Sequence, residues 1–511
     1  MWKYDCFAED FELLCEQKKD DVMIVYQYDA KKSSYTYAEV LNLSKRFLTF
    51  FQKNGLQAGD TVVTIMPNSP EVIIAFFAAM LGGLNYAPLP CAVSKREFDN
   101  WIRVVQPKMI IKKKGGAVGS NLQMASFECE CNGDLSWLSD EEAGFETGTV
   151  SHIYLMTSGT TGSPKAISIN TNKLWSSAKA FAQFYHIEES SYRFWNYLPM
   201  SYLGGLYNLA LIPLCCKGSF VISESFSGKT MLNYWNFVTN NGITALWLVP
   251  SIVQGLIKIS RLVGTQNTSH LAGEVKIAFL GTAPIQLSMK EEFEKVFGLR
   301  LYENFALSES TFLTAEEDTN IEFREQGSVG KKMPNIFLKV IPVEGVEKIG
   351  VIWIKTPFLF EGYLLEDGTL DIPLDEDGYF NTKDLGYING NNILVLAGRN
   401  RDIIKRGGQF ISLNEIEAVV GELPYIENVA AVPVKHDFYG EVYVLCVIFK
   451  QQEETEKQKE QLHTWMLDNF AAYKVPDRIY VCHSFPKTAS GKIQKNKIAE
   501  EIEREIANHV I

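Results

Sequence analysis

Residues 154–165 read Tyr154-Leu-Met-Thr-Ser-Gly-Thr-Thr-Gly-Ser-Pro-Lys165 in a chain of 511 residues. The stretch predicts a strand, followed by a loop rich in hydroxyl groups and glycine and then by a lysine. Glycine lets backbone N–H groups approach an anion closely, hydroxyl groups donate further hydrogen bonds, and lysine adds a positive charge. The stretch therefore predicts a polyphosphate-binding loop, with a surface turn as the alternative. It is not the GxxxxGK[ST] loop, because Pro164 precedes the lysine and neither Ser nor Thr follows it.

Apolar, β-rich runs alternate with helical stretches on both sides of this loop. The pattern predicts strands at residues 61–66, 109–112, 153–157 and 275–280, and helices at residues 70–81 and 173–185. Such alternation is typical of layered α/β proteins with parallel sheets. From about residue 327 to residue 396 short strands are separated by turn signals such as Asp367-Gly368 and Asp377-Gly378, which predict a small antiparallel lobe.

A shorter α/β unit follows Gly398. Its pattern predicts a helix at residues 413–423, strands at residues 429–434 and 443–450, and an amphipathic helix that ends near residue 470. We therefore predict an α/β fold with a large N-terminal domain, residues 1–397, made of two α/β lobes plus a small β lobe. A small α+β C-terminal domain, residues 398–511, completes the chain.

Composition narrows the class of protein. Hydrophobic residues make up 46% of the chain and charged residues 22%, which is typical of globular proteins. The net charge of −12 disfavours a general nucleic-acid binder, and no apolar run reaches the roughly 20 residues that a transmembrane helix needs. No secretory signal is visible at the start, and the nine cysteines include no paired C-x-x-C. These features predict reduced thiols and a cytoplasmic location.

Residues 154–165 closely resemble the phosphate-binding signature of the acyl-adenylate-forming enzymes, which include acyl-CoA synthetases, adenylation domains of nonribosomal peptide synthetases and firefly luciferase. Further motifs of that family are similar to four segments that follow in the family order, at residues 305–309 (FALSE), 378–386 (GYFNTKDLG), 398–402 (GRNRD) and 486–492 (PKTASGK). The resemblance covers essentially the whole chain. It implies ATP and Mg²⁺ as cofactors and a C-terminal domain that is mobile.

The resemblance also implies a nucleotide site. Phe305 offers a flat face to adenine, with Ser308 close by, while Asp384 accepts hydrogen bonds from ribose hydroxyls and Arg399 reaches ribose or phosphate. Glu309 is the expected Mg²⁺ ligand, because this hard cation prefers carboxylate oxygen. The other expected nucleotide-binding residues are Thr157, Ser158, Gly159, Thr160, Thr161, Gly162, Lys165, Gly281, Thr282 and Ala283.

The candidates for catalysis are Glu309 and two lysines. Lys492 follows a Ser-Gly pair, and a lysine there can neutralise the charge that develops in the transition state. The alternative is one more basic residue in a basic tail. By resemblance to CoA-forming relatives, Lys405 with Gly407 and Gly408 lies where a pantetheine thiol enters, although a solvated lysine is the alternative. Arg401 is the expected hinge residue between the domains.

Tyr202 marks a departure from the family pattern, because a histidine usually occupies its place near the acyl substrate. The expected pocket walls are Tyr202, Trp247, Val249 and Gly281. No aspartate or glutamate occurs between residues 199 and 214, where relatives that activate α-amino acids place a carboxylate for the substrate ammonium. The chain is therefore expected to act on an aryl or aliphatic carboxylic acid.

Together these features predict an ATP-dependent ligase that converts a carboxylic acid to acyl-AMP, releases pyrophosphate and then forms a thioester with CoA. Residues 438–441 (FYGE) resemble a turn of CoA ligases and favour CoA as the thiol. One alternative is an adenylation enzyme that loads the phosphopantetheine of an acyl carrier protein. Another is a binding protein without turnover, which would require the loss of Lys492 or Glu309, and both residues are present.

Overall fold

The computed structural model describes most residues of the chain. These are residues 3–28, 31–91, 93, 95–116, 125–142, 144, 150–157, 165–224, 226, 228–263, 273–281, 283, 285–343, 348–399, 403–406, 409–436, 440–451, 455–470, 474–488 and 493–508. The α/β fold class predicted from the sequence is confirmed, because helices alternate with the strands of two large sheets.

The helices show ordinary start and stop signals. Helix α2 begins after a capping box, in which Thr36 accepts from the Glu39 backbone and the Glu39 side chain accepts from the Thr36 backbone. Helix α10 ends at Gly298, whose φ of +64° suits glycine. The helices are α1 (Phe7–Gln17), α2 (Tyr37–Lys53), α3 (Pro70–Leu81), α4 (Lys95–Val105), α5 (Thr171–Phe184), α6 (Ile212–Cys215), α7 (Gly228–Leu232), α8 (Tyr234–Asn240), α9 (Pro250–Val263), α10 (Leu287–Phe297), α11 (Leu413–Gly421), α12 (Thr455–Asn469) and α13 (Lys495–Asn508).

Helix α3 spans the residues that the sequence predicts as a helix, and all of its residues are buried. Two further helical segments are a π-helix at Gly204–Leu211 and a 3₁₀-helix at Asp318–Phe323. Among the helices described, none is both long enough and apolar enough to cross a bilayer.

Within the part of the chain that the structure describes, the strands form four sheets. They are β1 (Val22–Tyr28), β2 (Lys31–Thr36), β3 (Thr61–Ile65), β4 (Asn85–Pro88), β5 (Met109–Lys113), β6 (Ala125–Cys129), β7 (His152–Thr157), β8 (Lys165–Asn170), β9 (Arg193–Asn196), β10 (Ser219–Ile222), β11 (Ala245–Leu248), β12 (Ile277–Leu280), β13 (Leu301–Leu307), β14 (Thr311–Ala315), β15 (Lys331–Lys332), β16 (Phe337–Pro342), β17 (Gly350–Lys355), β18 (Gly362–Leu364), β19 (Leu370–Asp371), β20 (Phe380–Ile388), β21 (Leu394–Arg399), β22 (Ile403–Arg406), β23 (Gln409–Ser412), β24 (Ile426–His436), β25 (Gly440–Phe449) and β26 (Arg478–Val481).

The two large sheets form the two α/β lobes. The first has the order β15-β14-β13-β12-β11-β9-β10-β1-β2, and the second has the order β19-β18-β8-β7-β4-β3-β5-β6. Strands β9 to β13 pair in parallel, as do β3, β4 and β5. Parallel strands must be covered on both faces, which is why their residues are almost uniformly buried.

The two smaller sheets follow in the chain. The antiparallel sheet β16-β17-β20-β21 is the small β lobe, and the last sheet has the order β23-β22-β25-β24, with β26 parallel to β25. Strand β21 extends to Arg399, and the last sheet begins with β22 at Ile403. The domain boundary between residues 397 and 398 stays a prediction.

Ion pairs between buried side chains link strand β13 to helix α10. Lys290 of α10 is 1% exposed, and its Nζ lies 3.1 Å from Glu303 Oε2 and 2.6 Å from Glu316 Oε2. Arg324 Nε lies 2.9 Å from Glu316 Oε1. Burial raises the pKa of Glu303 to about 7, although the neighbouring Lys290 ammonium acts in the opposite direction. Glu303 is therefore only partly ionised at neutral pH, and Lys290 favours its charged form.

Lys290→Met is expected to lower the free energy of unfolding by about 3–5 kcal/mol, because it leaves buried Glu303 without its cation and Glu316 with Arg324 alone. Glu303→Gln is expected to cost about 1 kcal/mol, since a neutral amide replaces a carboxyl group that burial already favours in its neutral form. Urea unfolding at pH 7 measures both, with exposed Lys276→Met as the control. Equal unfolding midpoints for Lys290→Met and the control would show that the network does not stabilise the fold.

Candidate functional site

The carboxyl ends of three neighbouring parallel strands, β11, β12 and β13, form one wall of the candidate site. Leu248 pairs with Leu280, and Leu280 pairs with Glu303. Val249 and Gly281 follow the first two strands directly, and Asn304 lies beside Gly281. A Cβ atom on Gly281 would lie 2.9 Å from Asn304 Oδ1, so a larger residue at 281 would displace the Asn304 side chain. Ligands of parallel sheets commonly bind at this edge.

Strand alternation places Asn304 and Glu303 on opposite faces of the sheet. Glu303 faces Lys290 of α10. The Trp247 and Phe279 rings, on the other face, are 4.9 Å apart, and Tyr302 belongs to that face through its contact with Tyr185. Asn304 therefore projects on the same face as Trp247.

Four aromatic rings, which we call the aromatic floor, pack together on this face of the sheet beneath the strand ends. It consists of Phe181, Trp247, Phe279 and Phe312, whose ring centroids lie 4.4 to 5.5 Å apart. Trp247 has no exposed surface and packs in the core beneath the strand ends. Trp247 Nε1 and Asn304 Nδ2 are buried donors that have no hydrogen-bond partner in the described part of the chain. Buried donors of this kind are rare in folded proteins.

Tyr202 lies close enough to Glu309 for that carboxylate to act on its hydroxyl. Although 37% of the residue is exposed, burial around its hydroxyl and the charge of the Glu309 carboxylate raise its pKa. The loop that carries it is held by Asn68, whose Nδ2 donates to Leu198 O at 2.8 Å and whose Oδ1 accepts from Met200 N at 3.0 Å. Tyr202 therefore remains a neutral hydroxyl close to the expected metal ligand.

Glu309 and Lys165 meet at Tyr363, a residue that the sequence analysis did not identify. The Tyr363 hydroxyl donates to Glu309 Oε1 at 3.0 Å, and Lys165 Nζ lies 5.1 Å from the centroid of the Tyr363 ring. Lys165 Nζ also lies 3.5 Å from Asp371 Oδ2. We call these four residues the Tyr363 cluster. It combines one cation, two carboxylates and a hydroxyl at the end of the predicted phosphate loop.

The local backbone explains why the Tyr363 cluster forms. Strand β18 pairs antiparallel with β8, which places Tyr363 opposite Ile167, and pairs with β19, which places it opposite Asp371. Phe360 N donates to Glu309 O at 2.7 Å. No short-range pattern in the sequence predicts these pairings, because β8 and β18 lie far apart in the chain.

The expected ribose and adenine residues lie in the β lobe and on β13. Asp384 is buried and pairs through its backbone with Arg399 on the neighbouring strand. Its N–H donates to Thr382 Oγ1 at 3.0 Å, and Thr382 Oγ1 donates to Ile352 O at 2.7 Å. Phe305 is also buried, whereas Ser308 and Ala283 are partly exposed.

Several residues predicted for the site lie outside the described residues. They are Ser158, Gly159, Thr160, Thr161, Gly162, Thr282, Arg401, Gly407, Gly408 and Lys492. For Thr157, Arg399 and Lys405 only the backbone is described, and Lys405 pairs with Phe410 across β22 and β23. The roles of all these residues stay predictions.

Comparison with known proteins gives two matches to family models. The AMP-binding enzyme model matches residues 11–364, and the model of the AMP-binding enzyme C-terminal domain matches residues 415–492. An oxalate–CoA ligase of Arabidopsis thaliana is 28% identical over 496 residues, which cover 92% of this chain and 94% of that protein. A malonate–CoA ligase of the same plant is 27% identical over 373 residues, covering 69% of this chain and 61% of that protein.

Among solved structures, the ATP-bound MatB from Rhodopseudomonas palustris superposes with a TM-score of 0.85 at 23% identity. The alignment covers 97% of this chain and 98% of that one. At this level of identity the likeness shows the fold.

Asp384→Asn is expected to weaken ATP binding about tenfold, because an amide loses one of the acceptor sites that two ribose hydroxyls require. Isothermal titration with ATP measures the dissociation constant, and Asp377→Asn, an exposed position in the same lobe, serves as the control. Unchanged ATP affinity in a folded Asp384→Asn protein would remove Asp384 from the nucleotide site.

Proposed function

The chain belongs to the AMP-binding enzyme family, and we propose that it is an ATP-dependent acid–CoA ligase. It converts a carboxylic acid to acyl-AMP with release of pyrophosphate and then transfers the acyl group to CoA. The observation that carries this proposal is the Tyr363 cluster, with Tyr202 close to Glu309. The lysine after the predicted phosphate loop, the candidate metal ligand and the tyrosine expected at the acid pocket therefore lie close together. The relatives named as oxalate–CoA and malonate–CoA ligases support the same reaction class.

The first half-reaction forms a bond between a carboxylate oxygen and the α-phosphorus of ATP and breaks the bond to pyrophosphate. Lys165 sits directly after the predicted phosphate loop and contributes positive charge to the polyphosphate. Activation is needed because the oxygen of a carboxylate is a poor leaving group, whereas AMP leaves readily. Lys492 neutralises the charge that develops as the carboxylate attacks.

The residues at Glu309 fit a Mg²⁺ ion. The Tyr363 hydroxyl donates a hydrogen bond to Glu309 Oε1, while no described residue donates one to Glu309 Oε2. A carboxylate oxygen in this state suits a hard cation that keeps most of its water ligands. When bound, Mg²⁺ supplies charge neutralisation for the phosphate oxygens.

The acid is compact in this proposal. The rings of the aromatic floor pack against one another beneath the ends of β11 and β12, and Trp247 has no exposed surface, so we expect little depth for a long chain. Asn304 Nδ2 offers an unpartnered donor at the same wall, which suits an acid that carries a second acceptor. The buried segment Gly204–Leu211 contains no carboxylate that could pair with an ammonium group.

CoA is the proposed thiol acceptor, and residues 438–441 with Lys405 support it through their resemblance to CoA ligases. Loading of an acyl carrier protein is the second candidate, because the same phosphopantetheine thiol would enter. The cytoplasmic location stays a prediction.

The decisive experiment measures pyrophosphate release from ATP with small dicarboxylic, short aliphatic, aryl, long-chain and amino acids, with and without CoA. We expect release with compact acids, formation of acyl-CoA when CoA is present, and no activity with phenylalanine. Clear preference for phenylalanine over phenylpropionate would overturn the acid assignment. Activity on a carrier protein in place of CoA would overturn the choice of acceptor.

Lys492→Ala is expected to abolish acyl-AMP formation while leaving thioester formation from supplied acyl-AMP largely intact, because its loop serves one orientation of the C-terminal domain. Single-turnover assays of the two half-reactions measure the split. Lys487→Ala, a neighbouring exposed lysine, is the control and should leave both half-reactions unchanged. Equal loss of both half-reactions in Lys492→Ala would contradict a role in one orientation.

Asn304→Leu is expected to lower kcat/KM for an acid with a second acceptor, such as malonate, by about tenfold to a hundredfold, because the lost hydrogen bond leaves a buried acceptor unpaired. Butyrate, which is of similar length and lacks that acceptor, is the internal control and should react at least as well as with the wild-type protein. A parallel loss for both acids would assign Asn304 a role in packing alone.

A further inference from the structure

Tyr363 contacts two residues of opposite charge, Glu309 and Lys165. Its hydroxyl contacts Glu309, and the face of its ring lies under the Lys165 ammonium. An ammonium over the face of an aromatic ring is attracted by the electrons of the ring. One side chain therefore contacts both charged groups through two chemically different surfaces.

The position of Tyr363 is well fixed. Backbone pairing on both sides of β18 holds its main chain, with Ile167 on one side and Asp371 on the other. The Phe360 ring packs against the Tyr363 ring edge to face, with the centroids 4.9 Å apart. Burial and the Glu309 carboxylate both raise the pKa of the Tyr363 hydroxyl, so the hydroxyl stays a donor at neutral pH.

Oppositely charged side chains in one cleft tend to pair directly, and a direct pair between Lys165 and Glu309 would compete with both phosphate and a cation. The ring of Tyr363 provides an alternative partner for the ammonium, and Asp371 Oδ2 holds it from a second side at 3.5 Å. The hydroxyl provides an alternative partner for Glu309 Oε1. Tyr363 therefore holds the Lys165 ammonium and the Glu309 carboxylate in place and keeps them apart.

We propose that Tyr363 is a positioning residue for the nucleotide: its hydroxyl orients the Glu309 carboxylate for a divalent cation, and its ring orients the Lys165 ammonium for phosphate. The proposal rests on the proposed function, since both charged residues act on ATP there. It predicts that the two surfaces of Tyr363 are separable by mutation. If Tyr363 only packed against β18 and its neighbours, loss of the hydroxyl and loss of the ring would not differ in their effect on ATP binding with and without Mg²⁺.

The experiment compares Tyr363→Phe, which removes the hydroxyl and keeps the ring, with Tyr363→Leu, which removes both. Isothermal titration gives the dissociation constant of ATP once with excess Mg²⁺ and once with EDTA. We expect Tyr363→Phe to weaken ATP binding about tenfold with Mg²⁺ and to leave binding in EDTA unchanged. Tyr363→Leu is expected to weaken binding under both conditions, because Lys165 also loses its ring contact.

Tyr387→Phe is the matched control, because the Tyr387 hydroxyl donates to Glu325 Oε2 at the same distance of 3.0 Å. It should change ATP binding under neither condition. The proposal is overturned if Tyr363→Phe binds ATP with Mg²⁺ as the wild-type protein does, or if its affinity falls equally with Mg²⁺ and with EDTA. Should Tyr363→Leu fail to fold, Tyr363→Phe alone decides. Absence of acyl-CoA formation by a wild-type protein that binds ATP would overturn the proposed function and leave this test intact.

Discussion

The candidate site depends on the pairing of a short segment, residues 360–364, with two sheets at once. Phe360 N donates to Glu309 O at 2.7 Å at the end of the first large sheet, and Glu361 N donates to Ser168 O at 2.7 Å in the second. Lys173 reinforces the junction, because its Nζ lies 2.8 Å from Glu361 Oε1 and donates to Leu359 O at 3.0 Å. The residue after the phosphate loop and the candidate metal ligand come from different lobes, and this segment fixes the distance between them.

Charged side chains are partnered in two different ways around the candidate site. Lys290, Glu303 and Glu316 form a buried network between α10, β13 and the end of β14, in which each group has a charged partner. Lys165 and Glu309 instead contact the ring and the hydroxyl of Tyr363. The paired network favours a rigid strand, while charges held by an aromatic hydroxyl and a ring stay accessible to a charged ligand. A rigid strand beside accessible charged groups keeps those groups in position before a ligand binds, as preorganised binding requires.

Local sequence patterns predicted the elements, because apolar periodicity and turn residues act over a few positions. The helix predicted at residues 70–81 is α3 (Pro70–Leu81), and the strand predicted at residues 429–434 lies within the longer β24. Motifs identified Lys165, Glu309 and Asp384, but nothing in the sequence pointed to Tyr363, Asn304 or Asn68. Those residues acquire their roles from register between distant strands, which sequence periodicity does not encode. Trp247 was expected as a pocket wall, and its burial below Gly281 depends on the packing of rings from three other elements.

Strand β13 is expected to border both the acid and the nucleotide. Asn304 lies against Gly281 at the expected wall of the acid pocket, and the next residue, Phe305, projects from the opposite face of the strand. A larger residue at 281 would meet the Asn304 side chain, which can rotate away without moving the strand. Substitutions at 281 and 304 are therefore expected to alter acid selectivity with little effect on the nucleotide. The loop around Tyr202, which Asn68 and Asn196 hold through separate hydrogen bonds, offers a second wall at which selectivity can change.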